Sequence, residues 1–484
     1  MQKTLIGIGI AIWLFGCTGS SVGTRPPKNR TTPPTAPVAK VPTTAPKPEG
    51  FTTKDSKMFV LPYGLRVFLH HNPSATLSAA ALNVATGSFH EPDAHLGLAH
   101  FLEHMLFLGT KRYPKVGDFD RYLQQYGGAS NAMTDDEDTS YFFEIQDGAF
   151  PEGLDRFAEF FVYPTFDATY VTREMKAVDS EYHKNLLSNG RREYQIAKII
   201  GCRDHVACRL ATGNLQTLKT GAREALRAFY QKNYSSDLMT LSIISKLPLP
   251  KMEKLARQYF SRVPRRKVTR KPLTTLRLDP AQLPAMVYLK PVGPRRIMKV
   301  TFEMPSGIPH YKSKPGDFLG HLLGHEGEGS MHSWLKKANL CTAVSAGMSS
   351  WTRGGRFQVV FSLTQLGEQH PERILHALFA TIHLLRKTGL QRYTFDEVQQ
   401  LGRIAIRYRA PLEGPMTAYR LAHTLRYYPR ENPITVPLQY TTYDPKLVAR
   451  FLSRLTPAAM RVFLVSPDVK TDRVERWYRV PYRV

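Results

Sequence analysis

Apolar and polar positions recur along this chain in a fixed order, and that order is run through twice. Residues 139–146, TSYFFEIQ, and 355–364, GRFQVVFSLT, have the near-alternating pattern of strands laid against a core. Residues 151–164, PEGLDRFAEFFVYP, and 371–385, PERILHALFATIHLL, bring apolar side chains round every three to four positions, as amphipathic helices do. Another helix follows in each copy, TREMKAVDSEYHKN at 172–185 and TFDEVQQLGRIAIRYR at 394–409, with an acidic residue near its start, Glu174 and Glu397. Ahead of these, HFLEH at 100–104 stands 221 residues before HLLGH at 321–325. The kept spacing predicts an α+β chain of two homologous domains, 53–263 and 277–484, each a mostly antiparallel sheet packed with helices. Between them, 264–276 is basic, contains proline and reads as a solvated linker.

The first 17 residues, MQKTLIGIGIAIWLFGC, place Lys3 before an apolar run from Leu5 to Phe15, shorter than the ~20 residues a membrane-spanning helix needs. This predicts an export signal. Leu14-Phe15-Gly16-Cys17 resembles the lipobox of bacterial lipoproteins, in which Cys17 becomes the acylated N-terminus, and threonine at position 18 favours the outer membrane by the same resemblance. Residues 18–52 are rich in Pro, Thr, Ser and Lys, cannot bury enough apolar surface to fold, and are expected to form a disordered tether. The expected location is the bacterial cell envelope, lipid-anchored and facing the periplasm.

That location changes how the charge is read. Sixty-six Lys and Arg against 40 Asp and Glu give a net charge of +26, which in a cytosolic protein suggests nucleic acid. An export signal removes that partner and leaves anionic lipid headgroups, an acidic peptide or an acidic subunit. Export also permits a disulfide between Cys202 and Cys208, which the sequence leaves open; Cys341 has no evident partner. No phosphate-binding loop or dinucleotide fingerprint is present.

The candidate chemistry lies in HFLEH. On a helix, residues four apart are separated by about 40° and ~6 Å, so His100 and His104 face the same way, with Glu103 beside them. Two imidazoles leave zinc short of the three protein ligands of a catalytic site, so a third donor comes from elsewhere. Glu174 and Glu181 share one face of the helix at 172–185, and either could reach. Zinc lowers the pKa of a bound water to about 7, and a carboxylate beside it can take the proton and pass it to a leaving amine. HxxEH is the inverzincin signature. In the second copy Gly324 replaces Glu103 and Ile404 replaces Glu181, so that copy is expected to be noncatalytic. A second metal site at His321 and His325 is the weaker reading.

With these residues in view, HFLEHMLFLGTKRYP, GGASNAMTDDEDTSYFFEI, LDRFAEFFVYPTFD and REMKAVDSEYHKN resemble the catalytic domain of the pitrilysin and insulinase family of zinc peptidases. YKSKPGDFLGHLLGHEGEGS and TDRVERWY resemble the family's second domain, so the likeness runs from about residue 51 to the C-terminus. The family pattern has 76 residues between the second histidine and the third ligand, which makes Glu181 the ligand. Glu174 is then an outer carboxylate orienting a ligand. The resemblance implies one Zn²⁺ per chain, substrate pairing along the strand at Asn131 and Ala132, and an exosite for the substrate N-terminus formed by His321, Gly324, Glu326 and the stretch Val344 to Gly347. Longer members carry four such domains closed around a chamber, and an arginine and a tyrosine for the scissile carbonyl come from the other half. For a chain with two domains this implies a second half-length subunit or a second copy. The expected function is a zinc metalloendopeptidase for peptides or unfolded polypeptides. The alternative is a noncatalytic assembly subunit of the same fold, which the intact ligands and base of the first domain disfavour.

Overall fold

Two sheets of matching topology organise the chain. The structure, a computed structural model, describes residues 55–484 apart from 203–204, 220, 269, 271–272, 275–277 and 429–430. The signal, Cys17 and the tether lie outside the described residues. The first half contains β1 (Ser56–Val60), β2 (Arg66–His71), β3 (Ser78–Val84), α1 (Leu98–Leu106), α2 (Asp118–Gln125), β4 (Ala129–Thr134), β5 (Thr139–Ile145), α3 (Phe150–Val162), α4 (Ala168–Asn185), α5 (Asn189–Ile199), α6 (Ala222–Asn233), β6 (Met239–Ser245) and α7 (Leu249–Phe260). The second contains β7 (Ala285–Leu289), β8 (Ile297–Met304), α8 (Pro315–Leu323), α9 (Met331–Lys337), β9 (Cys341–Trp351), β10 (Gly354–Leu363), α10 (Gln365–Gln369), α11 (Pro371–Thr388), α12 (Arg392–Arg407), α13 (Pro415–Tyr427), α14 (Pro445–Leu452), β11 (Arg461–Val465), β12 (Arg473–Val474) and β13 (Pro481–Arg483).

The first sheet runs β1-β2-β6-β3-β5-β4 and the second β12-β13-β7-β11-β8-β10-β9. In each, one inner pair is parallel, β2 with β6 and β7 with β11, and the next three strands continue antiparallel to a free edge, β4 or β9. The repeated hydrophobic pattern is therefore a repeated sheet. The copies differ at the opposite edge: β1 precedes its sheet in the chain, whereas β12 and β13 come from the C-terminal end.

The halves exchange helices. One face of the first sheet packs on α1, α3, α6 and α7, and the other receives α13 of the second half. Small residues, Ala79 and Ala81 on β3 with Ala418 and Ala422 on α13, let strand and helix approach closely, and Leu421, Leu425 and Phe142 fill the flanks. Full burial of each such large side chain contributes about 1.5–3 kcal/mol. The hydroxyls of Thr240 and Ser242 on β6 donate to the carbonyls of Ala422 and Ala418 at 2.7 and 2.8 Å. This explains why β5 is buried nearly throughout, while β10 alternates from Gly355 onward. In return, Ile196 and Ile200 of the α5 region pack on Val287, Leu289 and Phe463 of the second sheet. Buried Arg461 donates to the carbonyls of Ala197 and Ile200 at 2.9 and 3.0 Å, placing a cation at the C-terminal end of α5.

The linker expectation needs correction. Arg266 donates its amide to Ser235 Oγ at 2.8 Å, and half-buried Arg270 donates to the carbonyls of Ala85 and Asn233 and to the Thr86 hydroxyl. The Arg270 guanidinium satisfies carbonyls just past the end of β3 and at the C-terminal end of α6, which composition alone does not reveal. Cys202 and Cys208 are joined in a disulfide, and Cys341 is free and buried. Among the described residues no helix is long and apolar enough to cross a membrane.

Candidate metal centre

Helix α1 begins at Gly97, whose φ of +89° lies in the left-handed region. A Cβ there would stand 2.1 Å from Gly213 Cα, so the 212–214 loop presses directly on the helix start. Both oxygens of buried Glu91 cap the first turn, accepting from the Gly97 and Ala99 amides at 2.8 Å. Leu98, Phe101, Leu102, Met105 and Leu106 bury the apolar stripe and fix the helix rotation. His100 and His104 are left partly exposed, with Glu103 9 % exposed between them. His100 Nδ1 donates to the Thr212 carbonyl at 2.8 Å, which turns Nε2 toward the site.

Helix α4 supplies the carboxylates. Its N-cap Asp167 accepts from the Thr169 amide, and Val171, Val178 and Tyr182 bury its inner face. Glu181 Oε2 lies 3.5 Å from His100 Nε2, and its Oε1 lies 3.9 Å from His104 Nε2. Glu174 Oε2 instead sits 3.6 Å from His104 Nδ1, on the far side of that ring, and its other oxygen accepts from Arg173. One donor atom each from His100, His104 and Glu181 fall within 4.8 Å of one another. The two glutamates that the helix pattern left as equals are thus distinguished: Glu181 faces both Nε2 atoms, and Glu174 stands behind one ring.

The electrostatics favour positive charge here. Burial works against protonating His100, but Glu181 and Glu103 outweigh it and raise the imidazole to about 8. Contact with His100 lowers Glu181 to about 2 against the opposing effect of burial. Two imidazole nitrogens and one carboxylate form a donor set that fits zinc with a position left for water. Glu103 Oε2 accepts from the Thr134 hydroxyl at 2.5 Å. Thr134 ends β4, so the edge strand that carries exposed Asn131 and buried Ala132 runs beside this carboxylate.

The second half repeats the frame without the cluster. His321 Nε2 is 3.6 Å from Glu397, His325 Nδ1 accepts from the Gly327 amide, and Ile404 is exposed. Among the described residues the three-donor cluster forms only at His100, His104 and Glu181, which removes the second metal site. At Gly324 a Cβ would meet the Gly320 carbonyl at 3.0 Å and the Ala346 amide nitrogen at 3.3 Å; the missing side chain lets α8 lie on β9. His321, Gly324, Val344 and Gly347 gather along this α8–β9 seam, with exposed Glu326 just beyond the helix.

Sequence reasoning missed Glu91, Thr134, Thr212 and Tyr478. The last belongs to TDRVERWY at the far end of the chain, yet its hydroxyl is 2.8 Å from Thr212 Oγ1, and Thr212 is the residue whose carbonyl holds His100. No spacing rule announces contacts across 266 positions.

Residues 66–204 match the family described as insulinase (peptidase family M16), 222–401 match the peptidase M16 inactive domain, and 407–484 match the middle or third domain of peptidase M16. The chain belongs to the insulinase (M16) family. Among its M16 relatives, human insulin-degrading enzyme is 35% identical over 433 residues, covering 87% of this chain and 42% of the relative. Insulin-degrading enzyme-like 1, peroxisomal, from Arabidopsis thaliana is 34% identical over 441 residues, covering 89% and 45%. The chain therefore spans about half the length of the curated relatives it matches. The crystal structure of pitrilysin superposes with a TM-score of 0.87 at 30% identity, covering 92% of this chain and 48% of that one. A protease from Helicobacter pylori, at 18% identity and a TM-score of 0.68, shares the fold across 85% of this chain and 99% of its own.

Proposed function

We propose that this M16 chain is a zinc metalloendopeptidase that hydrolyses peptides or unfolded polypeptides in the bacterial envelope. The observation that carries the reading is the convergence of His100, His104 and Glu181 within 4.8 Å, with the Glu103 carboxylate on the same helix face. His100, His104 and Glu181 would hold the ion, and Glu174 would orient His104 from behind. Zinc, when bound, supplies Lewis-acid activation of water and of the scissile carbonyl. Glu103 takes the proton of the attacking water and delivers it to the departing amine. The Thr134 hydroxyl holds one Glu103 oxygen, so the other is presented to water. Edge strand β4 offers unpaired backbone groups to which an extended substrate can add as a further strand. The α8–β9 seam offers a second such edge, where exposed Glu326 suits a substrate's free amine.

The reading includes anchoring through acylated Cys17 and a partner, either a second half-length subunit or another copy of this chain. The excess of 66 basic over 40 acidic side chains suits an acidic partner or an anionic lipid surface. The test is a purified, metal-loaded chain assayed for zinc and for cleavage of an unstructured peptide. One zinc per chain is expected, and Glu103→Gln should keep the zinc while losing on the order of a hundredfold or more in turnover. Absence of stoichiometric zinc, or full turnover in the variant, overturns the reading.

A further inference from the structure

The carbonyl that turns His100 belongs to a loop, residues 205–215, whose one regular element is a single 3₁₀ turn, Val206–Cys208. Thr212 accepts from His100 Nδ1, Gly213 presses on Gly97 at the start of α1, and the Leu215 amide donates to Asp179 Oδ1 of α4 at 3.0 Å. Nearer its beginning, Arg209 donates to the Glu91 carbonyl at 3.1 Å and pairs with Asp93 at 2.8 Å, and the His205 ring stands edge-on to Phe89. The loop therefore touches both helices of the metal centre and the segment whose Glu91 side chain caps one of them.

Helices and strands are fixed by their own backbone bonds, whereas a loop keeps its place through what ties it down. Here one tie is covalent. Cys208 is bonded to Cys202, six positions earlier, and Cys202 follows closely on α5. The end of α5 is held against the second half by Arg461, which takes the carbonyls of Ala197 and Ile200. The disulfide thus carries the anchorage of α5 into the loop that directs His100. Leu210, buried in one apolar cluster with Ile196 and Ile200, is a second attachment, so opening the bond loosens the loop without releasing it. Both cysteines are half-buried, within reach of a small thiol.

We propose that the Cys202–Cys208 disulfide is a redox-sensitive brace for the metal centre: it steadies the loop that directs His100, and its reduction by a dithiol lowers the affinity for zinc. One thiolate of the reductant attacks a cysteine sulfur, the bond between the cysteines breaks, and the second thiolate displaces the mixed disulfide. The dithiol becomes a disulfide, and its two electrons and two protons end on Cys202 and Cys208 as thiols. The Thr212 carbonyl is then aligned with His100 for a smaller fraction of the time, and apparent affinity falls with that fraction. Cys202 and Cys208 are on this account positioning residues. In the envelope location proposed above the bond stays closed, whereas in a reducing compartment the chain holds zinc weakly. The inference rests on the zinc reading of His100, His104 and Glu181, and it does not require the peptidase step.

The experiment titrates zinc against a competing chelator in three forms of the full chain: oxidised, reduced with dithiothreitol and freed of it by gel filtration under argon, and reoxidised. Thiols counted in denaturant should rise by two on reduction. Zinc affinity should fall about tenfold in the reduced chain and return on reoxidation, at an unchanged far-ultraviolet spectrum. A chain carrying Cys202→Ser and Cys208→Ser, which has no new thiols to bind zinc itself, should match the reduced value and ignore the reductant. Where that variant does not fold, the reduced and reoxidised chain decides alone. Equal affinity in the oxidised and reduced forms, loss that reoxidation does not restore, or an unchanged thiol count overturns the brace and leaves the metal centre standing. An oxidised chain without stoichiometric zinc overturns both, and failure of a zinc-loaded chain to cleave peptide bears on the peptidase reading alone.

Discussion

The Thr134 hydroxyl donates to Glu103 Oε2 at 2.5 Å, tying the last residue of an edge strand to the carboxylate of the metal helix. On the proposed reading, strand β4 thereby sets both where an extended peptide can lie and how the candidate base is turned. Thr134→Val should lower peptide turnover on the order of tenfold with zinc content unchanged, whereas Thr134→Ser should restore most of it. A Val variant as active as the starting chain would show that Glu103 is held by its helix alone.

Glu181 and Glu174 are seven residues apart on one helix but meet opposite sides of the imidazole pair. Glu181→Gln should leave substoichiometric zinc after dialysis. Glu174→Gln should retain the metal and weaken its affinity on the order of 10- to 100-fold, since it removes only the partner behind His104. Zinc titration against a competing chelator separates the two, and equal effects would contradict the distinction.

Tyr478 reaches the site from the second half through Thr212. Tyr478→Phe should therefore weaken zinc retention without disturbing the fold, measurable as a higher zinc dissociation constant at an unchanged far-ultraviolet spectrum. Gly97→Ala should do worse. Its Cβ would enter the space of Gly213 at a positive φ, so a fall in melting temperature equivalent to more than about 1 kcal/mol is expected, with loss of zinc.

The acidic turn between β4 and β5 carries a pH signature through Asp138 and His423. Burial opposes the charged form of His423, yet Asp138 outweighs it and raises His423 above its usual 6.5, with Arg426 opposing and Asp135 assisting. Burial likewise opposes ionised Asp138, but His423 and Arg426 hold it below its usual 3.8. The His423 contribution is full below pH 6.5 and is lost as pH rises through the raised value. The Asp138 contribution is full above pH 3.8 and is lost as pH falls through the lowered one. His423→Gln should remove the alkaline decline in melting temperature that this pair contributes and shrink the acid limb, where Arg426 is left to hold Asp138 down. Identical pH profiles for the two proteins would contradict this pairing.

The sequence by itself determined the local order: helical and strand periodicities, the repeated frame and the single-turn grouping of His100, Glu103 and His104. Each depends on neighbours a few positions apart, where chain geometry fixes relative direction. Even the choice of Glu181 over Glu174 came from a family spacing and not from the helix pattern, which puts both on one face. Tertiary structure decided the rest. It turned His100 through Thr212, seated Glu103 on Thr134, buried an acidic turn against Thr352 and Arg426, and exchanged α5 and α13 between the halves. Those contacts join residues tens to hundreds of positions apart, and whether a polar group is buried depends on what the fold brings against it. Composition at 264–276 therefore indicated a solvated linker where packing seated Arg270 on backbone carbonyls of the first half.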